Sequence, residues 1–142
     1  MGLNGDRRKR VLFVCIGNCC RSQMAEGFAR TYGADVMTPA SAGIAPTHEV
    51  AQETLRVMGE KHIDLRDHFP KSVRHLSRVA FDLVVNMSGL DVPVENAART
   101  LEWEVDDPYG SPLAYYRLVR DQIERLVMEL VLQLRAEASA KV

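Results

Sequence analysis

Two residues with the chemistry of a nucleophile and of an oxyanion ligand, Cys15 and Arg21, stand six positions apart near the start of the chain. The apolar run 11–14 precedes Cys15 and predicts a short strand buried on both faces. After Ser22, apolar residues recur at helical spacing and predict a helix. In a strand–loop–helix unit, successive backbone N–H groups and the positive end of the helix dipole form an anion site.

The residue types in this loop indicate covalent chemistry on a tetrahedral oxyanion. A cysteine that faces a helix N-terminus is stabilised as the thiolate, which is the nucleophilic form. Arg21 offers a planar fork that matches two oxygens, and Ser22 places a hydroxyl near the sulfur. Gly17 and Asn18 tolerate positive φ and suit a tight loop. The predicted phosphate-binding residues are Ile16, Gly17, Asn18, Cys19, Cys20, Arg21 and Ser22.

Cleavage of a phosphate ester by a thiolate also needs an acid to protonate the departing oxygen. Asp107 is the candidate, because Pro108 biases it toward an extended conformation that pre-sets where its carboxyl points. Asp107 follows the last predicted strand. Loops that follow parallel strands open on one edge of a sheet, so we expect Asp107 to lie near Cys15.

The alternation of strands and helices predicts an α/β fold, a three-layer α/β/α arrangement with a small, mostly parallel, four-stranded twisted sheet. Pro39 places the second strand at an edge. A weak helical pattern covers 91–99, and i,i+4 ion pairs are predicted on the last helix, Arg117–Asp121, Arg120–Glu124 and Arg125–Glu129. The predicted strands are 10–15, 35–42, 81–87 and 101–105, and the predicted helices are 21–32, 47–59 and 112–136.

The whole chain, 1–142, is predicted to be one domain with loose ends at 1–8 and 138–142. The net charge of −1 gives no argument for nucleic acid or an anionic membrane. No apolar run approaches the length of a membrane span. The three cysteines all lie between 15 and 20, which suits a reducing cytoplasm. Neither a metal cluster nor a cofactor motif is present in the sequence, and we expect a monomer or weak dimer.

The segment from Cys15 to Ser22, continued by Gln23-Met24-Ala25-Glu26-Gly27, resembles the low-molecular-weight protein tyrosine phosphatases and their sister branch, the arsenate reductases. The resemblance extends over nearly the whole chain and implies the phosphatase fold. In that family the Asp-Pro-Tyr motif before the final helix carries the general acid, and Asp107-Pro108-Tyr109 matches it. The resemblance thus implies a phosphocysteine intermediate on Cys15, with Asp107 as general acid and then base.

The same resemblance assigns supporting roles. It implies that Tyr109 stacks on the substrate and that Cys20 forms a reversible disulfide with Cys15 under peroxide. Cys19 is then structural or a competitor, and both cysteines are otherwise small residues tolerated in a tight loop. The hydrogen-bond network that fixes the loop is implied for Asn18, Ser22, Ser41 and His68.

Three functional hypotheses follow. We favour a phosphomonoester hydrolase, acting on phosphotyrosine proteins and inhibited by phosphate-like oxyanions, because the catalytic set for ester hydrolysis is complete. Against phosphotyrosine, the segment 44–48 supplies no aromatic residue and Gly110 follows Tyr109. The alternative is an arsenate reductase. It needs an external thiol such as glutathione or mycothiol, since no cysteine follows Cys20. The remote hypothesis is a non-catalytic module that binds phosphorylated partners.

Overall fold

The computed structural model describes residues 7–94 and 97–140. The elements in chain order are β1 (Lys9–Cys15), α1 (Arg21–Tyr32), β2 (Met37–Gly43), α2 (Gln52–Gly59), a 3-10 helix (Val73–Leu76), β3 (Phe81–Asn86), β4 (Ala97–Glu102) and α3 (Leu113–Ala140). The strands form one four-stranded sheet in the order β2-β1-β3-β4, and every neighbouring pair is parallel. The predicted parallel α/β fold is therefore confirmed, with β2 at the edge that Pro39 indicated.

The central strand β1 divides the core into two clusters. Side chains alternate across a strand, so Val11 and Phe13 face one side of the sheet and Leu12 and Val14 face the other. The first side packs against the apolar faces of α1, α2 and α3. The second side is covered by a thinner layer, built from the 3-10 helix and the coil around Val92. Both faces of β1 are thus buried against apolar side chains, and this packing fixes the strand end that carries Cys15.

The long helix α3 buries one apolar stripe, which includes Tyr116, Ile123 and Leu130. The helix continues to Ala140, so residues 138–140, predicted as part of a loose end, are helical. The rest of the predicted loose ends at 1–6 and 141–142 lies outside the described residues, and residues 7 and 8 immediately precede β1. Of the helices in the described ranges, none is both long and apolar enough to cross a membrane.

The fourth strand corrects the sequence prediction. β4 occupies Ala97–Glu102 rather than 101–105, and no helix covers 91–94 or 97–99, where a weak one was predicted. Residues 95 and 96 lie outside the described residues. β4 is an edge strand whose side chains are mostly exposed, so the alternation of apolar and polar residues that marks a strand is absent from it. Its position comes instead from pairing with β3.

Charged residues at the junction of α2 and α3 also differ from the prediction. Arg117 forms a bidentate pair with Glu60 rather than an i,i+4 pair with Asp121. Arg120 donates to Glu60 and to the carbonyl of Val57. These arginines therefore join two helices, and ion pairs with Glu60 take the place of the predicted Arg117–Asp121 and Arg120–Glu124 pairs.

Candidate active site

The nucleophile lies at the C-terminal end of β1, where the chain turns into the loop before α1. Cys15 is 2% exposed. The backbone N–H of Asn18 donates to Cys15 Sγ at 3.2 Å, and Ser22 Oγ lies 2.9 Å from the same sulfur. Since Ser22 Oγ already accepts from the Asn18 side chain, its own proton is free to point at the sulfur. A thiolate at this position thus has two donors.

Asn18 holds the shape of the loop. It adopts a left-handed conformation, φ 51°, as its residue type predicted. Its Nδ2 donates to Ser22 Oγ at 2.7 Å, while its Oδ1 accepts from the backbone N–H of Lys71 at 3.0 Å. The loop lies directly on β2, because a Cβ at Gly43 would stand 2.7 Å from the carbonyl oxygen of Ile16. Glycine at this strand end therefore permits the close approach of the loop.

Gln23 completes this network, and no role for it was predicted from the sequence. It is fully buried in the first turn of α1, and its Nε2 donates to the Asn18 carbonyl, to Asn18 Oδ1 and to the Phe69 carbonyl, each at 3.2 Å. His68 Nδ1 lies 2.9 Å from Gln23 Oε1, so His68 reaches the loop through Gln23. Burial lowers the pKa of His68. The sequence signal that could have indicated this role is an uncharged amide side chain next to the apolar face of the predicted helix.

Ser41 lies one step further from the loop. It is buried on β2 and donates to Glu26 Oε1 at 2.6 Å. Glu26 also accepts from Arg30. Ser41 therefore ties β2 to α1, and its predicted support of the loop acts through the helix that carries Ser22.

Arg21 is oriented by the ends of distant strands. Its Nη1 donates to the carbonyls of Met87, at 2.6 Å, and Val105, at 2.9 Å, just beyond β3 and β4. Its Nη2 lies 3.6 Å from Asp107 Oδ2. The buried Nε has no hydrogen-bond partner among the described residues and remains available to an oxyanion. A guanidinium clamped at one nitrogen presents the rest of its fork in a fixed direction.

Asp107 and Tyr109 form the outer rim. The Asp107 side chain is 47% exposed, and its Oδ1 accepts from the Tyr109 N–H at 3.1 Å. Tyr109 itself is 63% exposed. Asp106, the residue before Asp107, is turned away from this rim and accepts a hydrogen bond from the Tyr115 hydroxyl. The structure thus brings the two predicted loops together, and Asp107 and Tyr109 line the same cavity as Cys15.

A cavity of about 150 Å³ opens between these loops. This volume is well below the roughly 300 Å³ at which pockets for drug-sized ligands begin, and it suits a small anion. Tyr109 is the aromatic member of the lining, and the segment after β2 contributes Ala45 and Thr47. The described lining residues are Cys15, Ile16, Gly17, Cys19, Cys20, Arg21, Ala45, Thr47, Asp107 and Tyr109.

Two further thiols lie in the same loop. Cys19 Sγ and Cys20 Sγ are 3.5 Å apart, and the Cys20 thiol donates to Tyr116 Oη at 3.9 Å. The hydrogen bond from Cys20 lowers the pKa of Cys19 to about 7, and the same bond with burial raises the pKa of Cys20. All three cysteines are free thiols, so the predicted Cys15–Cys20 disulfide stays a prediction.

A family model described as low molecular weight phosphotyrosine protein phosphatase matches residues 10–140. The chain belongs to this family. Relatives of the chain include proteins named as arsenate reductases. Over 127 residues the chain is 33% identical to the glutaredoxin arsenate reductase of Synechocystis sp., covering 87% of this chain and 96% of that relative.

The chain is similar to solved structures of both arsenate reductases and low molecular weight protein tyrosine phosphatases. An arsenate reductase in the phosphate binding state aligns with a TM-score of 0.82 at 32% identity, covering 89% of this chain and 98% of that one. A low molecular weight protein tyrosine phosphatase from T. tengcongensis aligns at 0.72 with 31% identity, covering 88% and 99%. The chain is therefore a member of a family of enzymes, and its relatives include arsenate reductases.

Proposed function

We propose that the protein is an arsenate reductase that uses an external thiol. The observation that carries the proposal is the cavity of about 150 Å³, which has room for one tetrahedral oxyanion beside Cys15 and the Arg21 fork. Likeness to arsenate reductases over nearly the full length of both chains supports it. The ester-hydrolase interpretation favoured by the sequence thus becomes the second candidate.

The first step is attack of the Cys15 thiolate on arsenic. The loop N–H groups and the Arg21 fork hold the arsenate oxygens, as they would hold the equatorial oxygens of a phosphate. Asp107, at the mouth of the cavity, supplies the proton with which one arsenate hydroxyl leaves as water. An S–As(V) bond forms and an As–O bond breaks, with no change of oxidation state.

The second step is the reduction. An external thiolate attacks Cys15 Sγ, forming a mixed disulfide, and the electron pair of the S–As bond stays on arsenic, which leaves as arsenite. A second external thiol then attacks the mixed disulfide and releases the Cys15 thiolate. Two thiols are thus oxidised to one disulfide while As(V) becomes As(III).

The electrons come from outside because the sequence has no cysteine beyond Cys20. A self-contained relay would need two further cysteines well downstream of Cys20 to carry the disulfide away from Cys15. A low-molecular-weight thiol of the glutathione class is consistent with the likeness to the glutaredoxin arsenate reductase of Synechocystis sp.. Mycothiol belongs to the same chemical class and is the other thiol to be assayed.

The second candidate is hydrolysis of phosphate monoesters. The observation that favours it is Asp107, whose carboxylate lies at the cavity mouth and 3.6 Å from Arg21. A carboxyl at this place could protonate a departing alcohol or phenol and then activate water against a phosphocysteine. Tyr109 supplies one aromatic surface for such a leaving group, and Ala45 and Thr47, which also line the cavity, supply none.

The test compares both reactions in one preparation. Arsenite release is measured with glutathione plus glutaredoxin and with mycothiol, beside hydrolysis of p-nitrophenyl phosphate and a phosphotyrosine peptide. Cys15→Ser is the blank for both. Asp107→Asn tests the proton donor, and Asp64→Asn is its matched control, since Asp64 is an exposed aspartate paired with Arg66.

We expect thiol-dependent arsenite release that Cys15→Ser abolishes and Asp107→Asn slows, while Asp64→Asn leaves it unchanged. Hydrolysis of the phosphotyrosine peptide without arsenite release from any thiol donor would overturn the reductase proposal and favour the second candidate. Failure of both reactions in a folded protein would leave phospho-ligand binding, the third hypothesis.

A further inference from the structure

The adjacent thiols Cys19 and Cys20 have an arrangement that the proposed reaction does not use. Their sulfur atoms lie 3.5 Å apart, and both residues line the oxyanion cavity. Their relative exposures are 5% and 1%, so the pair reaches solvent through that cavity. The Cys20 thiol is further held by Tyr116 Oη. The two sulfur atoms therefore converge in a protected place beside Cys15.

A disulfide between these two residues is disfavoured by geometry. Consecutive Cα atoms are about 3.8 Å apart across a trans peptide, whereas disulfide-linked Cα atoms are usually about 4.4–6.8 Å apart. The 3.5 Å separation of the sulfur atoms instead suits two ligands of one larger atom. Thiolates select soft, thiophilic centres. The pair is thus better fitted to chelation than to oxidation.

We propose that Cys19 and Cys20 form a dithiol site that binds trivalent arsenic in the active-site cavity. The inference rests on the proposed function for the origin of the ligand, since reduction would release arsenite into this same cavity. Trivalent arsenic is pyramidal and takes three ligands, so two sulfur atoms on one side leave a third position for hydroxide. Arsenic held there obstructs the space that the next arsenate must enter, which makes the site a product-inhibition site.

The binding step is a ligand exchange without electron transfer. Arsenious acid, As(OH)₃, meets the two thiols; two As–S bonds form, two As–O bonds break, and two waters leave with the thiol protons. Arsenic stays trivalent throughout. The lowered pKa of Cys19 favours the first exchange, because the thiolate is the binding form.

The experiment uses the full chain with Cys15→Ser, which removes the nucleophile and leaves the pair. Sodium arsenite is titrated against this protein with no arsenate and no reductant present, and intact mass under native conditions counts the arsenic bound. X-ray absorption at the arsenic edge then counts sulfur ligands. The double variant Cys15→Ser/Cys19→Ser is the matched control, and its fold is checked by circular dichroism.

We expect one arsenic per Cys15→Ser chain with two sulfur ligands, displaced by an excess of a 1,2-dithiol and retained against the same excess of a monothiol. The Cys15→Ser/Cys19→Ser variant should lose this binding. Binding that survives Cys19→Ser, or a spectrum with fewer than two sulfur ligands, would overturn the proposal. A folded Cys15→Ser/Cys19→Ser protein decides the question without any change at the more deeply buried Cys20. Since arsenate is absent, this result is independent of whether the protein reduces arsenate.

Discussion

Replacement of Gln23 by methionine tests whether the buried amide network sets the geometry of the site. Gln23 is fully buried, and its Nε2 contacts three acceptors while its Oε1 faces His68. Methionine keeps a similar length and volume, so the cavity term is small and the loss is that of hydrogen bonds. The change thus isolates the amide.

The cost can be worked out acceptor by acceptor. Asn18 Oδ1 keeps the N–H of Lys71, and the Phe69 carbonyl keeps Lys71 Nζ. The Asn18 backbone carbonyl loses the Gln23 donor. Leaving this buried carbonyl without a donor costs about 1–3 kcal/mol of unfolding free energy. The two acceptors that keep another donor add about 1 kcal/mol together, which gives about 2–4 kcal/mol in total. For a chain of this size the melting temperature falls by about 5–12 °C.

Activity should fall with stability, because Asn18 is the residue that donates to Cys15 Sγ and to Ser22 Oγ. We expect kcat/KM for the Cys15-dependent reaction to drop about tenfold, equivalent to about 1.4 kcal/mol of barrier. Urea unfolding and steady-state kinetics measure the two effects. The control is Gln133→Met, an exposed glutamine on α3. A Gln23→Met protein that unfolds at the same urea concentration as wild type would refute the network argument.

Three further predictions concern other groups. Arg21→Lys should lower kcat/KM at least a hundredfold while circular dichroism stays native, because lysine offers a point charge in place of the fork; near-normal turnover would show that the fork is dispensable. Arg117 first, then Arg120, holds the pKa of Glu60 at about 2, below its usual 4.5. Its contribution to stability is present above pH 4.5 and is lost as pH falls toward 2, so wild type and Glu60→Gln should converge in melting temperature across that interval. A constant difference down to pH 2 would contradict this pairing. In the Cys15→Ser protein at pH 7.5, iodoacetamide should alkylate Cys19 before Cys20, because the pKa of Cys19 is lowered to about 7. Peptide mass spectrometry measures the order of alkylation, and the reverse order would contradict the lowered pKa of Cys19.

Residues whose function depends on local chain geometry were accessible from the sequence. The positive φ of Asn18 follows from its residue type, and the strand–loop–helix pattern placed Cys15 at a strand end. The rule that loops after parallel strands share an edge predicted Asp107 near Cys15, and the two residues line one cavity. Each of these predictions used a property of a few consecutive residues or of the sheet as a whole.

Features that depend on particular tertiary partners were not accessible. Gln23 reads as an ordinary helical residue until the segment carrying His68 and Phe69 folds over it. Arg117 has an acceptable partner one turn along its own helix, yet it pairs with Glu60, the residue that follows α2. β4 has little buried surface of its own, so nothing in its residues marks its ends. Sequence patterns report one element at a time, and these features belong to pairs of elements.

The clamp on Arg21 links the site to the order of folding. Its Nη1 is held by carbonyls that lie 66 and 84 residues further along the chain. Contacts of such sequence separation carry a high loop-closure entropy and form after local ones. During synthesis, therefore, the Cys15 loop and α1 can emerge long before the guanidinium has its orientation. The site becomes competent only when β3 has joined the sheet and the segment after β4 has packed beside it. Until the chain is nearly complete, Cys15 therefore lacks a fully oriented oxyanion-binding arginine.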